Sequence, residues 1–79
     1  MLLHVGLNNY VAKNRVIAIL ALESEPIKRM VRSAREVGRL IDTTMGRRTR
    51  SVVVLDSGHV VLSAVGHDTL AARLEGKTV

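Results

Sequence analysis

Apolar residues in this chain come in short blocks of two different periods. Leu2 to Gly6 is a strand-length run that stops at Gly6-Leu7-Asn8-Asn9, a turn-forming cluster. Tyr10 to Ala12 and then Arg15 to Leu22 read as one strand, with a bulge or turn near Lys13-Asn14. Glu23-Ser24-Glu25-Pro26 changes the pattern. Proline suits the first helical turn, where its missing N–H costs nothing, and acids suit the positive end of a helix. The spacing predicts a helix from about Pro26 to Val37, stopped by Gly38. Ile27, Met30, Val31, Ala34 and Val37 share one arc of it, and Lys28, Arg32, Arg35 and Arg39 share the opposite arc.

Beyond the helix the period returns to that of strands. Leu40 to Thr44 and Ser51 to Leu55 flank Gly46, a residue that enters left-handed dihedrals without steric cost, so a turn is expected between them. Asp56-Ser57-Gly58-His59 fits a hairpin loop, with Val60 to Val65 as the return strand. A short final helix covers His67 to Leu74, with Leu70, Ala71 and Leu74 facing inward. The order β-β-α-β-β-β-α predicts an α+β fold: a small, mostly antiparallel sheet, one main amphipathic helix and a short C-terminal helix. Val52 to Leu55 and Val60 to Leu62 lack polar alternation, so both faces of those strands need a cover. One helix and a short tail are too little for that, and a second copy is the expected cover.

The 79 residues fit a single domain, 1–79, with 74–79 expected to be a flexible tail. A chain this short buries roughly 60% of its unfolded surface. It has no cysteine to staple it, yet 47% of its residues are hydrophobic. That excess of apolar surface also points to self-association. Neither a signal peptide nor an apolar run of roughly 18 residues is visible, so no membrane is expected and the cytoplasm is the expected compartment.

Charge is concentrated. Lys28 to Arg50 holds eight cations and two anions, and the remainder holds four cations and five anions. Such a footprint suits a polyanion partner, the alternative being a solvated face that keeps the protein soluble. Like charges three and four residues apart destabilise an isolated helix by about 0.2–0.5 kcal/mol per pair. Only Glu36 is near enough to offset them, so a polyanion would complete the stripe. In Gly46-Arg47-Arg48-Thr49-Arg50, three guanidiniums crowd one loop, and their forked donors match phosphate oxygens.

Catalytic patterns are weak. His4, His59 and His67 are scattered with no cysteine, so no metal or cofactor is expected. Asp56, Ser57 and His59 have the residue types of a nucleophilic triad, but adjacency in a tight turn does not give its geometry. Gly76-Lys77-Thr78 echoes a phosphate-binding loop without the earlier glycine or the preceding strand. A non-enzyme without a small-molecule substrate is expected. Tyr10 is the only aromatic residue. Readers of unpaired bases depend on aromatic platforms, so arginine without aromatics favours duplex DNA.

From about Val5 to Leu74 the chain resembles the RemA family, small bacterial DNA-binding regulators named for control of extracellular-matrix genes. The resemblance rests on Asn14-Arg15, Ser24 with Pro26-Ile27-Lys28-Arg29, Leu40-Ile41-Asp42, Gly46-Arg47-Arg48-Thr49-Arg50, Asp56-Ser57 with His59, and Leu62-Ser63-Ala64-Val65. It implies a homo-oligomeric ring that bends or wraps duplex DNA at the nucleoid, with Arg15, Arg47 and Arg48 at the DNA-binding positions. Charge placement adds Arg50, Lys28, Arg29 and Arg32 to that surface. Lys13, where the family has a small residue, adds a phosphate contact. Asn8 stands where glycine is usual, Leu22 where proline is common, Met45 where tyrosine is common, and Gly66-His67 where Gln-Pro often starts the last helix. Two other readings remain: an architectural or RNA-binding protein without regulatory targets, and a scaffold whose basic face binds an acidic protein or a membrane surface.

Overall fold

The structure, a computed structural model, describes residues 1–76, and its chain splits into two sheets where the sequence pattern suggests one strand. Strand β1 (Leu2–Gly6) pairs antiparallel with β2 (Asn9–Ala12). Lys13 to Arg15 then form a single 3₁₀ turn, and β3 (Val16–Ala21) starts in the other sheet. The expected continuous strand from Tyr10 to Leu22 is therefore two strands. The Lys13 N–H closes the hairpin on the Met1 carbonyl, whereas the Arg15 carbonyl already receives the Asp56 N–H across the second sheet. Three residues suffice to hand the backbone from one ladder to the other.

Helix α1 (Glu25–Glu36) has Pro26 in its first turn, as its sequence requires. It ends in a Schellman cap: Arg39 N–H bonds the Ala34 carbonyl at 2.8 Å and Gly38 N–H bonds that of Arg35, with Gly38 at φ +73°. Val37 is the cap residue and is exposed, not inward-facing, because the helical geometry has already ended there.

Three further strands complete the second sheet: β4 (Leu40–Asp42), β5 (Ser51–Leu55) and β6 (Val60–Ser63). Its order is β3-β5-β6-β4. β5 and β6 form the expected hairpin, Val54 opposite Val60 and Ser51 opposite Ser63. β4 does not pair with β5 around Gly46. It lies parallel to β6, with Leu40 opposite Val60, so this sheet is mixed. The hairpin gives β6 to β5 first, and β4 takes the edge of β6 that remains.

Both faces of the central strands are covered within one chain, and the expectation of a second copy as the missing cover is corrected here. On one face α1 packs through Val31 and Ala34 against Val52, Val60 and Leu62. On the other, Leu3 and Val5 of β1 and Leu70 of α2 (His67–Leu74) enclose Val53 and Val61. The N-terminal hairpin supplies the cover that the linear pattern leaves unassigned. The buried hydroxyls of Thr43, Thr44, Ser51 and Ser63 all donate hydrogen bonds, and that of Ser63 reaches the Val5 carbonyl at 2.7 Å, tying the two sheets together. At the end of α2, Glu75 and Gly76 N–H groups bond back to Ala71 and Arg73, so 74–76 are helix and cap. The rest of the expected tail, 77–79, lies outside the described residues.

Candidate nucleic-acid interface

The loop from Thr43 to Arg50 crosses the end of β6 to reach β5, and both of its feet are pinned. Thr43 donates its N–H and its hydroxyl to the Leu62 carbonyl, the latter at 2.6 Å. Arg50 N–H bonds the Ser63 carbonyl at 2.9 Å. Between the feet, one Asp42 carboxylate oxygen accepts both the Thr44 hydroxyl (2.6 Å) and the Thr44 N–H (2.8 Å). Those two bonds, the hydroxyl first, hold the Asp42 carboxyl below the usual carboxylate range. The tip is a tight turn, with Arg47 N–H on the Thr44 carbonyl and positive φ at Met45 (51°) and Gly46 (83°).

The lowered value has a consequence for stability. Stability from ionised Asp42 is present above its unfolded value near pH 3.9 and is lost as pH falls through the lower folded value. Asp42→Ala is therefore expected to lower the urea midpoint at pH 7, and the gap to the unaltered protein should close below about pH 4. A gap that stays constant from pH 7 to pH 3 would contradict this role.

Arg47, Arg48 and Arg50 are exposed on this rigid loop, and among the described residues no carboxylate lies within ion-pair distance of any of them. Arg48 and Arg50 border a shallow cleft of about 280 Å³ shared with Glu23, His67 and Asp68, so the floor beside the arginines carries both signs of charge.

Arg15 stands elsewhere. It ends the 3₁₀ turn, beside the β5–β6 hairpin loop, and its guanidinium forms an ion pair with Asp56 at 3.0 Å. Arg50 and Asp56 bracket β5, and at roughly 3.3 Å per residue that separation is about 20 Å. Within one chain, then, Arg15 and the Arg47–Arg50 loop lie at opposite ends of the sheet. Lys13, partly buried, lies in the same 3₁₀ turn as Arg15.

The helix cations divide similarly. Lys28 and Arg29 are exposed near the start of α1, which follows Leu22, itself bonded to the Arg50 carbonyl. They share the Arg50 end of the molecule. Arg32, however, is paired with Glu25 at 2.7 Å, and this contact holds the Glu25 carboxyl low. Seven residues are two helical turns, so Glu25 is a second anion against the basic stripe, beyond Glu36. The pairings of Arg32 with Glu25 and of Arg15 with Asp56 are the contacts that charge counting along the chain does not reveal. The first is legible as an i, i+7 spacing, and the second spans 41 residues and has no local signal.

Remaining candidates resolve plainly. The Ser57 hydroxyl and His59 Nδ1 share a hydrogen bond of 2.7 Å, but Asp56 is turned to Arg15, so the three do not form a triad. Among the described residues no group of three or more His, Asp or Glu side chains could hold a metal, and no helix is long and apolar enough to cross a membrane. Tyr10 stacks on His4 with ring centroids 4.9 Å apart.

The described residues thus form a small two-sheet α+β domain with exposed arginines at both ends of the main sheet. Residues 2–74 match the model of the RemA-like family, described as extracellular matrix regulatory protein A-like. The chain is 54% identical over 76 residues to extracellular matrix regulatory protein A of Bacillus subtilis, covering 96% of this chain and 85% of that one. It is similarly 54% identical to a Halothermothrix orenii protein (96% and 90% covered) and 56% identical to one from Cyanothece (91% and 79% covered), both described only as regulatory. The chain belongs to the RemA-like family.

Proposed function

We propose that this chain is a transcriptional regulator that binds duplex DNA as a head-to-tail homo-oligomeric ring, bending or wrapping the duplex at the nucleoid. The observation that carries this reading is the 20 Å-scale separation of Arg15 from Arg47, Arg48 and Arg50, at roughly 3.3 Å per strand residue. One copy cannot gather these arginines into one contact. A heterologous interface, in which the Arg15 end of one copy meets the loop end of the next, can, and such interfaces close into rings. Exposed Tyr10, Ile17, Ile41 and Met45 support self-association, even though the sheet faces are already covered within the chain. Regulation is what the name of the B. subtilis relative states.

Repetition matters energetically. Each copy offers a few exposed cations, and a ring raises the effective concentration of the next contact once the first is made. Lys28 and Arg29 flank the loop and extend the surface. Lys13 does so beside Arg15, and Arg32 contributes less because Glu25 already engages it. With its one aromatic side chain stacked on His4, the surface suits backbone phosphates and groove shape better than unpaired bases.

Light scattering on the purified chain, with competition among duplex DNA, random duplex and structured RNA over a range of salt, tests this. The expected result is a multiple of the chain mass, preference for duplex, and a steep salt slope of about −0.9 per neutralised phosphate. A monomer, or a preference for RNA, would sink the reading.

A further inference from the structure

The hairpin loop Asp56–His59 has an arginine on each side. From the β3 side Arg15 Nη1 donates to Asp56 Oδ2 at 3.0 Å, and from the β4 side Arg39 Nη1 donates to the Ser57 carbonyl at 2.9 Å. The two acceptors belong to neighbouring residues of one turn. Arg39 closes the Schellman cap with its own N–H, and its carbonyl accepts the Val60 N–H just before β4 begins at Leu40. By helical projection it belongs to the basic stripe of α1, but it lies past the end of that helix and its side chain is committed to the turn. The guanidinium lies against the turn, where a Cβ at Gly58 would be in ordinary contact with Arg39 Nη1 at 3.4 Å; glycine answers there to a φ of +88°.

The two arginines differ in what they have left to offer. Arg15 faces a carboxylate, so an incoming anion must replace an existing ion pair. Arg39 is exposed and has only a neutral carbonyl as its hydrogen-bond partner, and among the described residues no carboxylate reaches it within ion-pair distance. A guanidinium has five N–H donors, so a single carbonyl anchors its orientation while the rest of the fork stays available. A side chain held this way loses less freedom on binding an anion than a free one.

We propose that Arg39 and Arg15 form a phosphate clamp astride the Asp56–His59 turn, with Asp56 as the counter-charge that backbone phosphate must displace from Arg15. The ligand is the phosphodiester backbone of duplex DNA, so this inference rests on the duplex-binding reading of Arg15. Asp56 then sets the clamp's affinity. It holds Arg15 in place in the free protein, and it penalises weakly placed phosphates more than well placed ones, since only the latter replace its ion pair fully.

The test is duplex binding by fluorescence anisotropy at several salt concentrations for Arg39→Gln, Arg39→Lys, Asp56→Asn and Arg15→Ala, with oligomeric mass and thermal melting measured for each. Arg39→Gln is expected to weaken binding about fivefold or more and to flatten the salt slope by about 0.9 for each phosphate lost. Arg39→Lys should keep the slope and recover part of the affinity. Asp56→Asn should tighten binding by up to about fivefold, the range spanned by an exposed ion pair, and that gain should vanish when Arg15 is also alanine. Binding and slope unchanged in a folded Arg39→Gln, or weaker binding in Asp56→Asn, would overturn the clamp. The failure of the underlying reading looks different: Arg15→Ala would then bind duplex as well as the unaltered protein, whatever Arg39→Gln does.

Discussion

Replacing Arg47 and Arg48 together by alanine is expected to abolish duplex binding while leaving fold and assembly in place. The two side chains are exposed, stand on a loop pinned at Thr43, Thr44 and Arg50, and have no carboxylate partner among the described residues to lose. Surface substitutions of that kind change stability by no more than about 0.5 kcal/mol. In the proposed ring, their effect on binding is multiplied by the number of copies that touch the DNA. An assembly using six to ten phosphate contacts loses about 10³–10⁵ in affinity between 50 and 200 mM salt, so removing two contacts per copy should cost at least about a hundredfold near physiological salt. Titration of labelled duplex against the variant, with its mass confirmed by light scattering, gives the answer. An assembled variant that binds with an unchanged salt slope would remove the loop from the interface.

Leu70→Ala is expected to have the largest effect on stability. Leu70 is fully buried in α2 and meets Leu3 and Val5 of the N-terminal hairpin together with Val53 and Val61 of the main sheet. Truncating such a leucine costs about 2–5 kcal/mol, the lost transfer energy plus the cavity left behind. A domain of this length is stable by roughly 0.05–0.15 kcal/mol per residue, so the loss is a large fraction of the total. Urea denaturation at fixed protein concentration should show a midpoint shifted far toward water, because assembly and stability are linked. A loss under about 1 kcal/mol would mean that the N-terminal hairpin and α2 are not part of the main core.

What the sequence reveals is local, and what it hides is long-range. Pro26 and Gly38 bracket α1, Gly58 marks the hairpin, and Gly46 marks the loop turn, because each of those residues answers a backbone requirement within a few positions. The split between β2 and β3 is hidden, since Lys13-Asn14-Arg15 is compatible with a bulge, a turn or a change of sheet, and only the ladders on either side decide. The parallel pairing of β4 with β6 is hidden for the same reason, as is the covering of the second sheet face by residues as distant as Leu3 and Leu70. For the candidate site, the excess of arginine is legible and its geometry is not. Nothing near Arg15 announces Asp56, and nothing near Gly46 says that its loop lies at the far end of the sheet from Arg15.

Strand β5 has a role beyond its place in the core: it is a ruler with coarse gradations. Val52 and Val53 are sealed between two apolar layers, and Ser51 at the start of the strand donates to the Val65 carbonyl. Inserting one residue would lengthen the span by about 3.4 Å and turn the β5 side chains on one side of the insertion to the opposite layer, breaking the match between the valines and their two apolar covers. Only changes of two residues preserve the faces, so the distance between the arginine groups can drift across relatives only in steps of about 7 Å. If the chain binds duplex as proposed, adjustment to a different DNA curvature falls to the loop tip and the hairpin turn, where backbone length is free to vary.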